Sequence, residues 1–220
     1  MKKLLSLSLA LLAAAAMTVP TLAASHTVQR GDTMWKLAVQ YQVGTSEIID
    51  ANPQVANPNL IYPGDVLTIP ETDASVRACE QEVVRLVNAE RAKHGLAALT
   101  EDWELSRVAR YKSQDMHDNR YFAHNSPTYG TPFRMLRAFG LSYRTAGENI
   151  AMGYAAPAAV VAGWMNSEGH RANILSSAYT KIGVGYVADG HSRAVFDGKI
   201  TVEKHAQKIE AYQKNNNILL

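Results

Sequence analysis

Apolar residues at positions 76, 79, 83, 86 and 87 recur at three- and four-residue spacing, which predicts an amphipathic helix over residues 75–94 with Gly95 just past its end. Thr100 followed by Glu101 and Asp102 predicts the start of a second helix, with acidic residues at the positive end of its dipole. Thr131-Pro132 opens a third helix that Gly140 closes, and Pro157 opens a fourth that runs to Asn166. Between them, residues 148–152 and 181–187 have the composition of strands. Residues 26–70 have a different rhythm. His26-Thr27-Val28 is a short β-prone run, Gly31-Asp32 makes a turn, and Thr33 caps a helix carrying Met34, Trp35, Leu37, Ala38 and Tyr41. A second helix starts at Thr45 or Ser46, and residues 66–70 form a closing strand, so the order is βααβ. Helices interspersed with strands, without βαβ repetition, predict an α+β chain: a small βααβ module followed by a larger sandwich.

The two ends carry different signals. Lys2 and Lys3 precede an apolar run from Leu4 to Val19, and Thr21-Leu22-Ala23-Ala24 offers small residues for cleavage, so residues 1–24 are expected to be a secretory signal peptide. That run is too short and too poorly flanked to anchor the protein in a membrane after cleavage. Residues 71–75 are a short polar linker. Near the other end, Asp197-Gly198 between two β-capable segments predicts a type I′ hairpin, and residues 203–220, Asn-rich with weak apolar spacing, predict a frayed tail.

Charge narrows the choice of partners. The chain has 22 Lys and Arg against 20 Asp and Glu, and with Lys2 and Lys3 removed the two signs balance. A balanced surface gives no support to binding of nucleic acid or an anionic membrane. Cys79 is the only cysteine, so an exported chain has no internal disulfide, and its place on the apolar stripe predicts a small buried hydrophobe.

Three phrases hold the candidate chemistry: Tyr121-Phe122-Ala123-His124-Asn125-Ser126-Pro127, then Ala146-Gly147-Glu148-Asn149-Ile150-Ala151, then residues 164–175, which begin Trp164-Met165-Asn166-Ser167-Glu168-Gly169-His170. They place His124, Glu148 and His170 where one cleft could gather them. Two imidazoles and an acid can hold a divalent cation, or the acid can orient a histidine or activate water. The phrases resemble the bacterial branch of the CAP (SCP-like) superfamily of cysteine-rich secretory proteins, antigen 5 and pathogenesis-related proteins. The resemblance implies an α-β-α sandwich over residues 76–191, with residues 192–220 as a divergent C-terminal segment. It also implies a cleft at His124, Glu148 and His170. These three are the candidate metal residues, for a weakly held Zn2+ at most, and Glu148 is the sole catalytic candidate. Ser167 stands where eukaryotic members carry a second acid, and Glu168 could replace it only if turned inward. Trp164, Tyr121, Phe122 and Asn149 are expected to pack and to fix loops.

Residues 26–70 resemble a LysM module through Val28-Gln29-Arg30-Gly31-Asp32-Thr33-Met34-Trp35 and Asn57-Pro58-Asn59-Leu60-Ile61-Tyr62-Pro63-Gly64-Asp65. The resemblance implies recognition of peptidoglycan or a chitin-like glycan, with Gly31, Asp32, Thr33 and Met34 on one side of a groove and Asn59, Leu60, Ile61 and Pro63 on the other. The expected protein is secreted, associated with the cell wall, and free of any required cofactor. A binding or envelope-assembly role is favoured over the alternative, a metal-dependent hydrolase of wall material, because no nucleophile with an adjacent base is readable.

Overall fold

The computed structural model describes residues 23–188 and, for the backbone alone, residues 195–203. The expected leader lies outside the described residues except for Ala23 and Ala24. These two begin β1 (Ala23–Thr27), which runs antiparallel to β2 (Val66–Pro70), with Ala23 opposite Pro70 and Thr27 opposite Val66. Between the strands lie α1 (Met34–Tyr41) and α2 (Thr45–Asp50), in the order that the pattern predicts. Thr33 caps α1 by accepting the Lys36 N–H at 3.1 Å. Val28, Met34, Leu37, Ala38, Ile48, Leu67 and Ile69 close the small core. Asn52 is buried. Its Nδ2 donates to the Ile48 and Thr68 carbonyls, both at 2.7 Å, and its Oδ1 accepts the Thr68 N–H at 2.8 Å, which pins β2 to α2.

The larger unit runs α3 (Ala74–Lys93), β3 (Thr100–Glu101), α4 (Trp103–Asp118), α5 (Pro132–Ala138), β4 (Tyr143–Met152), α6 (Pro157–Asn166), α7 (Glu168–Ile174), β5 (Lys181–Val187) and β6 (Val195–Glu203), with sheet order β3-β5-β6-β4. Strand parity sorts the layers. Ile182 and Val184 face a core built from Val83, Val84 and Val87 of α3, Val160, Val161 and Trp164 of α6, and Ile174 of α7. Gly183 and Gly185 point the other way, against α4. A Cβ at Gly183 would sit 2.3 Å from the Leu105 carbonyl carbon, and one at Gly185 would sit 2.1 Å from that of Ala109. Helix and strand backbones therefore touch because glycine occupies both positions, and the α-β-α sandwich follows.

Side chains complete the edge of β5. The Asp102 N–H donates to the Ile182 carbonyl at 2.8 Å, and there β3 ends. Beyond it, the Val184 N–H donates to Ser106 Oγ at 3.3 Å and the Tyr186 N–H to Glu80 Oε1 at 3.1 Å, so polar groups of α4 and α3 take the place of a strand. Burial pushes the Glu80 carboxyl up, and Arg110, bonded at 2.8 Å through both Nε and Nη2, works against that shift.

Several expectations are corrected. Asp197-Gly198 is not a hairpin turn: β6 is one continuous strand antiparallel to both β4 and β5, with Asp197 opposite Ile150 and Gly185, and Gly198 opposite Asn149 and Val184. A central strand satisfies both backbone edges, which a hairpin at the sheet margin could not do. Thr100 does not cap α4. It is paired in β3 with Lys181, and the cap is Asp102, which accepts the Leu105 N–H at 3.0 Å. α3 starts at Ala74, because the Asp73 carboxylate accepts the Ser75 and Val76 N–H groups, and the linker is shorter by that much. The buried stripe of α3 carries Glu80 and Arg91 besides its valines, while Cys79 is only half-buried at the core's edge. The expected tail beyond residue 203 lies outside the described residues.

The units meet through Arg107 of α4. Its Nε and Nη2 donate to the two oxygens of Glu47 at 2.6 and 2.8 Å, and Nη2 also reaches Ser46 Oγ at 2.9 Å. The guanidinium lies over the Tyr111 and Phe139 rings, 5.4 and 5.2 Å from their centroids. Burial raises the Glu47 carboxyl, but the bonds from Arg107 and Ser46 outweigh it and hold the group below its ordinary range.

Candidate functional site

The small module presents two loops joined at their bases. The Val28 N–H donates to the Asp65 carbonyl at 2.8 Å, and the Gly64 N–H returns to the Val28 carbonyl at 2.9 Å. In the first loop Gly31 has φ +93, a conformation that side chains rarely adopt. Lys36 Nζ holds the Gly31 carbonyl at 2.6 Å, and Asp32 Oδ2 accepts the Gln29 N–H at 2.8 Å. Thr33 is half-exposed with its hydroxyl committed to the cap, so it borders the loop. Met34, expected in the groove, is 4% exposed and belongs to the core, because as the first residue of α1 it points inward with Leu37 and Ala38.

In the second loop the Tyr62 N–H donates to Asp65 Oδ2 at 2.8 Å and the Asn59 N–H to Asn57 Oδ1 at 3.1 Å, so the backbone is held while the side chains point out. Asn59 and Pro63 are exposed, Leu60 is 51% exposed, and Ile61 packs partly on the core. Tyr62 is 58% exposed and was not among the expected groove residues. The signal available for it was an aromatic residue inside the turn phrase Tyr62-Pro63-Gly64-Asp65.

In the larger unit, His124 sits on the loop after α4 and Glu148 on β4, and His124 Nδ1 lies 2.8 Å from Glu148 Oε1. The histidine side chain is 52% exposed and the carboxylate 4%. Two residues of α4 fasten this loop. Lys112 Nζ donates to the carbonyls of Ala123 and His124 at 2.8 and 3.0 Å and contacts the Tyr121 hydroxyl at 2.9 Å. Asp115 accepts from the Tyr121, Ser126 and Thr128 hydroxyls and from Asn119 Nδ2. Burial pushes the Asp115 carboxyl up, yet those donors more than compensate and hold it below its ordinary range. Sequence reasoning missed both residues. The signal was a lysine and an aspartate where the stripe of Leu105, Val108, Ala109 and Met116 calls for apolar groups.

His170 lies on α7. Burial, and then the neighbouring His124, lower its pKa. Its carbonyl accepts Asn149 Nδ2 at 3.0 Å, and Asn149 Oδ1 accepts Asn173 Nδ2 at 2.8 Å, so α7 is laced to β4. Among the described residues no set of three His, Cys, Asp or Glu side chains is gathered as a metal ion requires. Of the expected trio, Glu148 Oε1 faces His124 Nδ1, so this carboxylate oxygen supports that ring instead of standing as a third ligand beside His170. Glu168 is exposed in the first turn of α7 and does not replace the acid missing at Ser167. Ser126 donates to Asp115 at 2.7 Å and accepts the Thr128 and Tyr129 N–H groups, so its hydroxyl is committed to the loop. Trp164 is buried and donates to the Ile150 carbonyl at 3.2 Å, and Asn149 is also buried, whereas Phe122 is 44% exposed and does not pack as expected.

The comparisons with known proteins follow this architecture. Two family profiles match: the cysteine-rich secretory protein family (CAP) over residues 84–202 and the LysM domain over residues 26–70. The first match passes the expected boundary at 191 and takes in nearly all of β6. The chain is 58% identical over 123 residues to the uncharacterized protein YkwD of Bacillus subtilis, covering 56% of this chain and 48% of that protein. An extracellular protein of Bacillus anthracis containing an SCP domain superposes with TM-score 0.55 at 33% identity, covering 64% of this chain and 47% of that one. An outer surface protein of Borrelia burgdorferi superposes with TM-score 0.53 at 22% identity, over 56% of this chain and 92% of that one, a likeness of fold alone. The chain spans about half the length of YkwD and of the Bacillus anthracis protein. With that profile matching more than half of its 220 residues, the chain belongs to the cysteine-rich secretory protein (CAP) family and carries a LysM domain ahead of the CAP domain.

Proposed function

We propose that this is an exported protein that holds peptidoglycan through the exposed loops of its LysM domain and displays the CAP domain at the cell wall in a binding or assembly role. The observation that carries the reading is the second loop: its backbone is pinned to Asp65 while Leu60 and Tyr62 stand more than half exposed beside Asn59 and Pro63. Neutral sugars are recognised by apolar faces together with a few well-placed hydrogen-bonding groups, and this loop offers both on a fixed frame. Charge is not the attraction, since within residues 25–70 Arg30 and Lys36 stand against Asp32, Glu47, Asp50 and Asp65. Among the described residues no helix is long and apolar enough to cross a membrane. The Bacillus anthracis neighbour is an extracellular protein, and export of this chain is proposed by the same logic, together with its apolar leader.

The test is co-sedimentation of the full chain with insoluble peptidoglycan at low and high salt. The protein should pellet with the wall material at both, because a mainly uncharged contact is little screened. Tyr62→Ala should weaken the association about tenfold or more, the effect of truncating an aromatic anchor. Recovery of the unmutated protein in the supernatant at both salt concentrations would refute the reading.

A further inference from the structure

Asp32 is held more firmly than its turn requires. The turn is already closed by the Asp32 N–H on the Gln29 carbonyl at 3.1 Å and by the Gln29 N–H on Asp32 Oδ2 at 2.8 Å. In addition His26 reaches from β1 and places Nε2 at 2.9 Å from the same oxygen, while its Nδ1 lies 2.9 Å from the Tyr41 hydroxyl of α1. The two rings meet edge to face at 5.6 Å. Proton positions follow from chemistry. An ionised carboxylate only accepts, so His26 Nε2 carries the hydrogen and donates it to Asp32. The His26 side chain is 11% exposed and that of Asp32 21%. Both contacts fall on Oδ2, which leaves Oδ1 for a donor arriving at the loop.

We propose that Asp32 Oδ1 accepts a hydrogen bond from the acetamide N–H or a hydroxyl of an N-acetylglucosamine-containing glycan, and that His26, steadied by Tyr41, is the positioning residue that aims this carboxylate. The inference rests on the glycan-binding reading above and adds the acceptor and its support. A charged acceptor makes a stronger bond to a neutral sugar than an amide oxygen does, which gives a carboxylate a purpose here that asparagine would not serve. The charged groups facing Asp32 are His26 and Lys36; Asp65 of the second loop is occupied by the Tyr62 N–H. The Gln29 N–H, then His26, hold the Asp32 carboxyl below its ordinary range, so the acceptor stays ionised as the medium becomes mildly acidic.

The experiment is calorimetric titration of the full chain with the N-acetylglucosamine hexamer across descending pH, for the unmutated protein and for His26→Ala, His26→Gln and Tyr41→Phe. His26→Ala should weaken binding about tenfold, and His26→Gln, which keeps a donor on a planar side chain, should recover most of that loss. In His26→Ala the Asp32 carboxyl returns toward its ordinary value, so binding should fail at a higher pH than in the unmutated protein, a shift that simple loosening of the fold would not produce. Tyr41→Phe keeps the ring and should weaken binding two- to threefold, about one lost hydrogen bond, so it reads the support even where the alanine variant folds poorly. Equal affinities and superposed pH profiles in all variants would overturn this proposal alone. Failure of the unmutated protein to bind either the hexamer or peptidoglycan would overturn the glycan reading with it.

Discussion

Two histidine–carboxylate pairs at the candidate sites, His26–Asp32 at 2.9 Å in the LysM domain and His124–Glu148 at 2.8 Å in the CAP domain, are built in opposite senses. In the first, the histidine is hidden at 11% exposure and the carboxylate looks out at 21%. In the second, the carboxylate is hidden at 4% and the histidine looks out at 52%. The buried member of each pair is the support and the outer member is the group presented. One domain therefore offers an acceptor, suited to sugar N–H and O–H groups, and the other an imidazole. The frames differ as well. His26 and Asp32 are six residues apart around one turn, whereas His124 and Glu148 are 24 apart, and Lys112 and Asp115 hold their loop from α4.

The largest expected effect comes from breaking the frame of the second pair. Asp115→Ala strands three hydroxyls and an amide in a partly buried loop and should cost about 3 kcal/mol in chemical denaturation, with loss of hydrogen-exchange protection over residues 119–130. The effect has a pH signature. The Asp115 carboxyl is depressed in the fold, so its stabilisation is complete above the unfolded value near 3.9 and vanishes as pH falls through the folded value. The stability gap between the unmutated protein and Asp115→Asn should therefore narrow toward acid.

Next in size is the buried member of the CAP pair. Glu148→Gln keeps the shape but weakens a charge-assisted bond, and should cost about 1–2 kcal/mol in denaturant titration while leaving peptidoglycan binding unchanged. A comparable loss, about 1–2 kcal/mol, is expected for Arg107→Ala, which removes the contact to Glu47. It should also appear in small-angle scattering as a broader spread of distances between the LysM and CAP domains. The smallest change is electrostatic. His124→Ala removes a like charge beside His170, so the His170 imidazole should titrate at a somewhat higher pH by NMR.

The LysM half was readable almost to the residue because its signals are local: Thr33 caps a helix, Gly31 makes a turn, and the phrase around Asp65 folds on itself. Met34 was misplaced because a loop motif and a helix's first inward position coincide there. In the CAP half α5 and α6 were visible from proline and glycine punctuation, but β6 was not. Asp197-Gly198 is a strong turn signal in isolation, and long-range pairing with β4 and β5 overrides it. The cleft histidines could be placed by their phrases. What holds them could not, since Lys112 and Asp115 act across a loop whose course no local spacing specifies.

We propose that the LysM loops, and not the histidine-bearing cleft, are the glycan-binding surface of this chain. Titration of the isotope-labelled full chain with the N-acetylglucosamine hexamer, followed by backbone amide NMR, tests it most directly. The predicted result is saturable shift changes at residues 29–34 and 59–65, with residues 121–126, 148 and 170 unmoved. Shift changes confined to the cleft residues, with the LysM loops silent, would contradict it.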